Sequence, residues 1–126
     1  MPEVVAMETR VLFHITPKAV WENALKAGVY RARSLDNEGF IHCSKASQVT
    51  NVASRLFRAQ KGLVLLCIDS TKILSPLKYE QIPGGEFYPH IYGPINLDAV
   101  VKVLDFPPRP DGSFDLPKSL YGKTNR

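Results

Sequence analysis

Six consecutive apolar residues, Leu63-Val64-Leu65-Leu66-Cys67-Ile68, limit what this chain can become more than any other stretch. A strand with one wet face alternates polar and apolar residues, because successive side chains point to opposite sides. This run does not alternate. Preceded by Gly62 and closed by Asp69, it reads as a central strand covered on both faces. With 126 residues, 44% of them hydrophobic, the chain has enough material for one domain with a real core and not for two.

Shorter patterns flank that strand. Arg10 to Ile15 reads as a first strand, with Val11, Phe13 and Ile15 on one face and Leu12 and His14 on the other. Thr16-Pro17 has the form of a helix start, Thr16 as cap and Pro17 at the first helical position, and Val20, Trp21, Ala24, Leu25 and Gly28 follow a buried helical face that Gly28 ends. Arg31 to Gly39 is polar and rich in turn formers, a loop able to cover a site. Phe40 to Ser44 reads as a second strand, and Ser44 as cap of a helix whose stripe is Val49, Val52, Ala53, Leu56 and Phe57. Leu77 to Ile82 and Ala99 to Leu104 complete the strands, while Pro89 and Pro94 make residues 86–94 a rigid loop or a strand edge. Mixed order and short connections give an α+β domain over residues 1–106. Residues 107–126 form a Pro/Gly-rich C-terminal extension whose last residues, Gly122 to Arg126, are expected to be poorly ordered.

The chain carries a formal charge of +4, which favours anionic partners, although its Lys and Arg are scattered and mark no nucleic-acid track. Cys43 and Cys67 lie in apolar runs without metal-type spacing and read as reduced, buried thiols. Glu3, Glu8 and Arg10 interrupt the N-terminus, so neither a signal peptide nor a membrane span is expected and a cytoplasmic location follows.

Each of the three histidines stands two residues before a hydroxyl: His14 before Thr16, His42 before Ser44, His90 before Tyr92. Two residues is the strand repeat, so each pair emerges on one side of extended backbone, and three segments can converge on one polar pocket. Glu86, Tyr88, His90 and Tyr92 concentrate a carboxylate, an imidazole and two phenols in one short segment. The histidines are isolated from one another, unlike the paired ligands of common zinc motifs, and no Gly-x-Ser-x-Gly turn marks a nucleophilic serine.

Three blocks, Leu12 to Thr16, Ser34 to Ser44 and Glu86 to Val100, resemble the domain of unknown function 952 family. The resemblance spans about Arg10 to Leu104. It implies a split, mostly antiparallel sheet with flanking helices, of the ADP-ribosyltransferase type, with a cleft that binds NAD in enzymatic relatives. His14-Ile15-Thr16 and Ile41-His42-Cys43-Ser44 are similar to elements of the tRNA 2′-phosphotransferases. By that likeness His14 and His42 line the NAD pocket with Ser44 beside them, and the third block supplies the last cleft position; Thr16, Tyr88 and Tyr92 are further candidates for holding the cofactor, and His42, Glu86 and His90 are the candidates for catalysis. The Glu-x-Glu or Gln-x-Glu pair of toxin-like transferases is absent at Glu86-Phe87-Tyr88.

The expectation is therefore an NAD-dependent transferase acting on RNA or protein, of the ADP-ribosyl or RNA 2′-phosphate type. Its alternatives are a non-catalytic module for a small nucleotide or metabolite, and a metal-dependent hydrolase using the three histidines.

Overall fold

The computed structural model describes residues 10–120. The expected disorder of Gly122 to Arg126 and the reading of Glu3 and Glu8 lie outside the described residues. In chain order the elements are β1 (Val11–Pro17), α1 (Lys18–Ala27), β2 (Val29–Tyr30), α2 (Arg33–Glu38), β3 (Ile41–His42) and α3 (Ala46–Leu56). β4 (Leu63–Asp69), β5 (Leu77–Gln81), β6 (Phe87–Ile91), β7 (Ile95–Asn96) and β8 (Val100–Asp105) follow, with short 3-10 turns at Ser70–Lys72 and Leu97–Ala99.

β4 is buried along its whole length and sits between β1 and β8, antiparallel to both. Its alternate residues feed two cores. Val64, Leu66 and Ile68 join Leu12, Trp21, Ala24, Tyr30, Ile41 and Ile91 on one face. Leu63, Leu65 and Cys67 join Phe13, Val49, Ala53, Phe106 and Phe114 on the other. Both free thiols are buried, and Leu116 and Leu120 pack against the second core, so the segment after Pro107 is fastened to the domain.

A second sheet has the order β3-β6-β5, and β2 pairs with β7. Every strand pairing among the described residues is antiparallel, which places the chain in the α+β class. No helix among the described residues is long and apolar enough to cross a membrane.

Two hydrogen bonds join the large sheets: Phe13 N–H to Ser44 O and Ser44 N–H to Phe13 O, both 2.8 Å. Pro89 explains why they form there. It lies inside the central strand β6, not at an edge as its residue type suggests, and its carbonyl accepts the Cys43 N–H at 3.0 Å. Lacking an N–H of its own, Pro89 returns no bond. Pairing of β3 with β6 stops at His42 and His90, and Ser44 turns to Phe13.

Three local readings are corrected by this geometry. Thr16 caps no helix: β1 runs through it, and α1 starts at Lys18 after Pro17 without a side-chain cap. Ser44 does not cap α3 either, since the cap residue is Lys45, whose N–H donates to Gln48 Oε1 at 3.0 Å. Residues 33–38 are helical where a loop was expected. Gly39 at φ +89 ends that turn by donating to Leu35 O and Ser34 O, and α2 buries no residue, so no apolar stripe announced it.

Below the junction lies a buried relay. His14 Nδ1 is 2.6 Å from the carbonyl of His42, which can only accept, so Nδ1 carries the ring proton. His14 Nε2 then accepts from the Tyr30 hydroxyl at 2.7 Å, and the Thr16 hydroxyl, 2.9 Å from the phenol oxygen, donates to it. Burial lowers the His14 imidazole to about 4 and raises the Tyr30 phenol to about 12, so both are neutral at pH 7.

Leu66 is fully buried at the centre of β4, and Leu66→Ala is expected to lower unfolding free energy by about 2 to 5 kcal/mol in urea denaturation. For His14 the unfolded chain binds the extra proton between the ordinary value of 6.5 and the folded value of about 4. Its contribution is complete above 6.5 and is lost as pH falls through that window. Wild type is therefore expected to lose about 3 kcal/mol more than His14→Asn between pH 7 and pH 4. Parallel denaturation curves at each pH give this difference directly.

Candidate functional site

Termination of the β3–β6 ladder leaves His42 and His90 directly opposite one another, with ring centroids 5.4 Å apart. Each imidazole is held by a carboxylate. His90 Nδ1 lies 2.7 Å from Glu80 Oε1, an oxygen that the Tyr92 hydroxyl also reaches at 2.6 Å. The Tyr92 hydrogen bond, followed by that of His90, holds the Glu80 carboxyl below the usual carboxylate range. His42 Nε2 lies 3.1 and 3.2 Å from the two carboxyl oxygens of Glu38, the last residue of α2.

An ionised carboxylate only accepts, so these contacts place an N–H at Nδ1 of His90 and at Nε2 of His42. When each ring is neutral, the remaining nitrogen, Nε2 of His90 and Nδ1 of His42, carries the lone pair. Neither has a hydrogen-bond partner among the described residues. Phe40 stacks on the His90 ring at 4.1 Å and meets the His42 ring edge-on at 4.8 Å, which fixes both orientations.

A cleft of about 380 Å³ opens beside this pair, and His14, His42, Ser44, Tyr88 and His90 all line it. Ser44 is only 5% exposed, yet its hydroxyl has no partner among the described residues. The opposite wall is apolar because the stripe on α3 divides. Val49 and Ala53 enter the core, whereas Val52, Leu56 and Phe57 face the cleft with Ile15 and Ile82. Leu56 is left 66% exposed. Arg55, on the same helix, also lines the cleft and has no carboxylate partner among the described residues.

Three sequence-derived site residues fall outside this wall. Thr16 is buried beneath Tyr30. Tyr92 turns to Glu80 and carries Lys78 Nζ over its ring at 4.9 Å. Glu86 is not among the lining residues and accepts from Gln48 Nε2 at 2.8 Å, the same amide nitrogen that donates to Phe87 O at 2.9 Å. Its carboxylate, held by Gln48, ties the start of α3 to β6.

Glu80, Glu38, Phe40 and Arg55 were missed. Glu38 ends α2 and His42 lies in β3, so their contact depends on the turn at Gly39 and no helical spacing announces it. Glu80 meets His90 only through the β5–β6 register, which no local pattern announces. Among the described residues no group of three or more His, Cys, Asp or Glu is placed to hold a metal ion.

Solved structures of the protein CC0527 from Caulobacter crescentus share this architecture. Its crystal structure is 30% identical to this chain, covers 88% of this chain and 98% of its own, and superposes with a TM-score of 0.80. The solution structure gives 0.75 at 30% identity, over 86% and 95% of the two chains. No curated protein matches. The profile of the family described as "Protein of unknown function (DUF952)" matches residues 15–103, and the chain belongs to that family.

Proposed function

We propose that this protein binds a nucleotide of the NAD type in the histidine cleft and acts there as a small transferase. The observation that carries the reading is the convergence of His14, His42, His90, Ser44 and Tyr88 on one cleft whose far wall is apolar. Ligand pockets commonly have this form, a greasy surface for a flat ring and a few fixed polar groups. About 380 Å³ is near the small end of such pockets and suits one nucleotide half of a dinucleotide. The likeness of the His14 and His42 segments to the tRNA 2′-phosphotransferases supports the same ligand class, as does the net positive charge.

Bound NAD supplies a glycosidic bond whose cleavage leaves positive charge on the ribose. The chain's own part is to fix the ribose while water or an acceptor hydroxyl bonds to its C1′, nicotinamide leaves and the nucleophile's proton passes to solvent. His90, oriented by Glu80 and pinned by Phe40, is the fixed imidazole placed to hold that ribose. Tyr88 is placed to pack on a ring in the cleft. One observation favours the second reading, binding without turnover: no carboxylate lines the cleft, since Glu38 and Glu80 stand behind imidazoles and Glu86 is bound by Gln48.

Calorimetric titration with NAD, ADP-ribose and AMP tests the assignment. Binding is expected, with about tenfold loss in His42→Ala, the effect of one hydrogen bond. Its melting temperature should stay close to wild type, because the side chain is 54% exposed. No binding of any of the three at millimolar concentration refutes the assignment. Nicotinamide release over hours, abolished in His90→Gln, identifies the transferase; binding without release identifies the second reading.

A further inference from the structure

The hydrogen-bonding polarity of the cleft is one-sided, and it dictates how a ligand must lie. The carboxylates of Glu80 and Glu38 occupy the N–H sides of His90 and His42, so with the rings neutral the nitrogens left for a ligand are acceptors. His14 offers no proton either, since both its nitrogens are engaged in the buried relay. The Ser44 hydroxyl beside them both donates and accepts. A phosphate oxygen brings only lone pairs and negative charge, and would meet lone pairs backed by carboxylates. Hydroxyl groups bring the donors this end lacks.

The opposite requirement holds along α3. Arg55 is ten residues beyond the Lys45 cap, about 15 Å of helix axis at 1.5 Å per residue, and its guanidinium is the cation of the cleft wall. Only donors are available there, and no carboxylate neutralises them among the described residues. Val52, Leu56, Phe57 and Ile82 share the cleft wall with Arg55, apolar surface suited to a base or a sugar face.

From these facts we infer that the cleft selects ribonucleotides by their sugar diol, with the vicinal hydroxyls donating to His90 Nε2 and His42 Nδ1 and the phosphate directed toward Arg55. This orientation rests on the nucleotide assignment and sharpens it. It makes the site a reader of ribose against deoxyribose. Glu38 and Glu80 become positioning residues that act by fixing which imidazole nitrogen faces the ligand.

Calorimetry on the full chain with AMP, 2′-deoxy-AMP, 3′-deoxy-AMP and adenosine distinguishes the outcomes. At least one deoxy analogue is expected to bind about tenfold more weakly than AMP, the effect of one lost hydrogen bond. His90→Phe retains a ring against Phe40 while removing both nitrogens, and should reduce the preference against one of the two deoxy analogues to less than about twofold, as His42→Phe should for the other. Glu80→Gln frees the imidazole to present either tautomer and should reduce it partially with the fold intact by near-ultraviolet circular dichroism. Arg55→Gln should erase the advantage of AMP over adenosine and leave the ribose preference in place.

Equal binding of AMP and both deoxy analogues overturns the orientation while the nucleotide assignment stands. So does a ribose preference that survives both His90→Phe and His42→Phe, or an AMP that fails to bind where NAD binds. Failure of NAD, ADP-ribose and AMP alike overturns the assignment itself, and the orientation with it.

Discussion

The pair of hydrogen bonds between Phe13 and Ser44 is the constraint on which the site depends. It brings β1, which carries His14, against the end of β3, which carries His42, and β3 in turn pairs His42 with His90. The junction exists because Pro89 cannot complete the ladder beyond that pair. A residue with an N–H at position 89 could extend the pairing past Cys43 and compete for Ser44. One missing donor in a central strand is thereby converted into the gap that becomes the cleft.

Polar groups at such a junction must be paired or they destabilise it. The chain of Thr16, Tyr30, His14 and the His42 carbonyl meets this requirement without a charge, and burial keeps both ionisable members neutral at pH 7. The same relay leaves His14 with no free nitrogen for chemistry. The other two rings are held by carboxylates, His90 by Glu80 and His42 by Glu38. The three histidines thus divide into one with both nitrogens engaged in the relay and two that line the cleft with one nitrogen each left unpartnered among the described residues. Its apolar wall is made by α3, which shares its stripe between core and cleft instead of burying it entirely.

Much of the frame was legible in the chain. The unbroken apolar run from Leu63 to Ile68 located the central strand, and the two-residue spacing after His14, His42 and His90 placed hydroxyls on their faces of extended backbone. What failed had definite causes. Thr16 looked like a cap because Thr-Pro suits a helix start, but Tyr30 recruits its hydroxyl and the strand runs on to Pro17. Pro89 looked like an edge residue, because its tolerance inside β6 depends on which side of the ladder its missing N–H faces. The bond from Gln48 to Glu86 was hidden because the two are distant in sequence. The partnership of Glu80 with His90 arises from strand register, and register is a property of the folded hairpin and not of any short window of sequence.

The tautomers of the three imidazoles test this account most directly, because both the buried relay and the acceptor character of the cleft follow from them. Long-range proton–nitrogen correlation spectra of the ligand-free protein at pH 9, with the rings neutral, report the protonated nitrogen of each histidine. The account predicts Nδ1–H for His14 and His90 and Nε2–H for His42. A spectrum showing His90 protonated at Nε2, or His42 protonated at Nδ1, would contradict it.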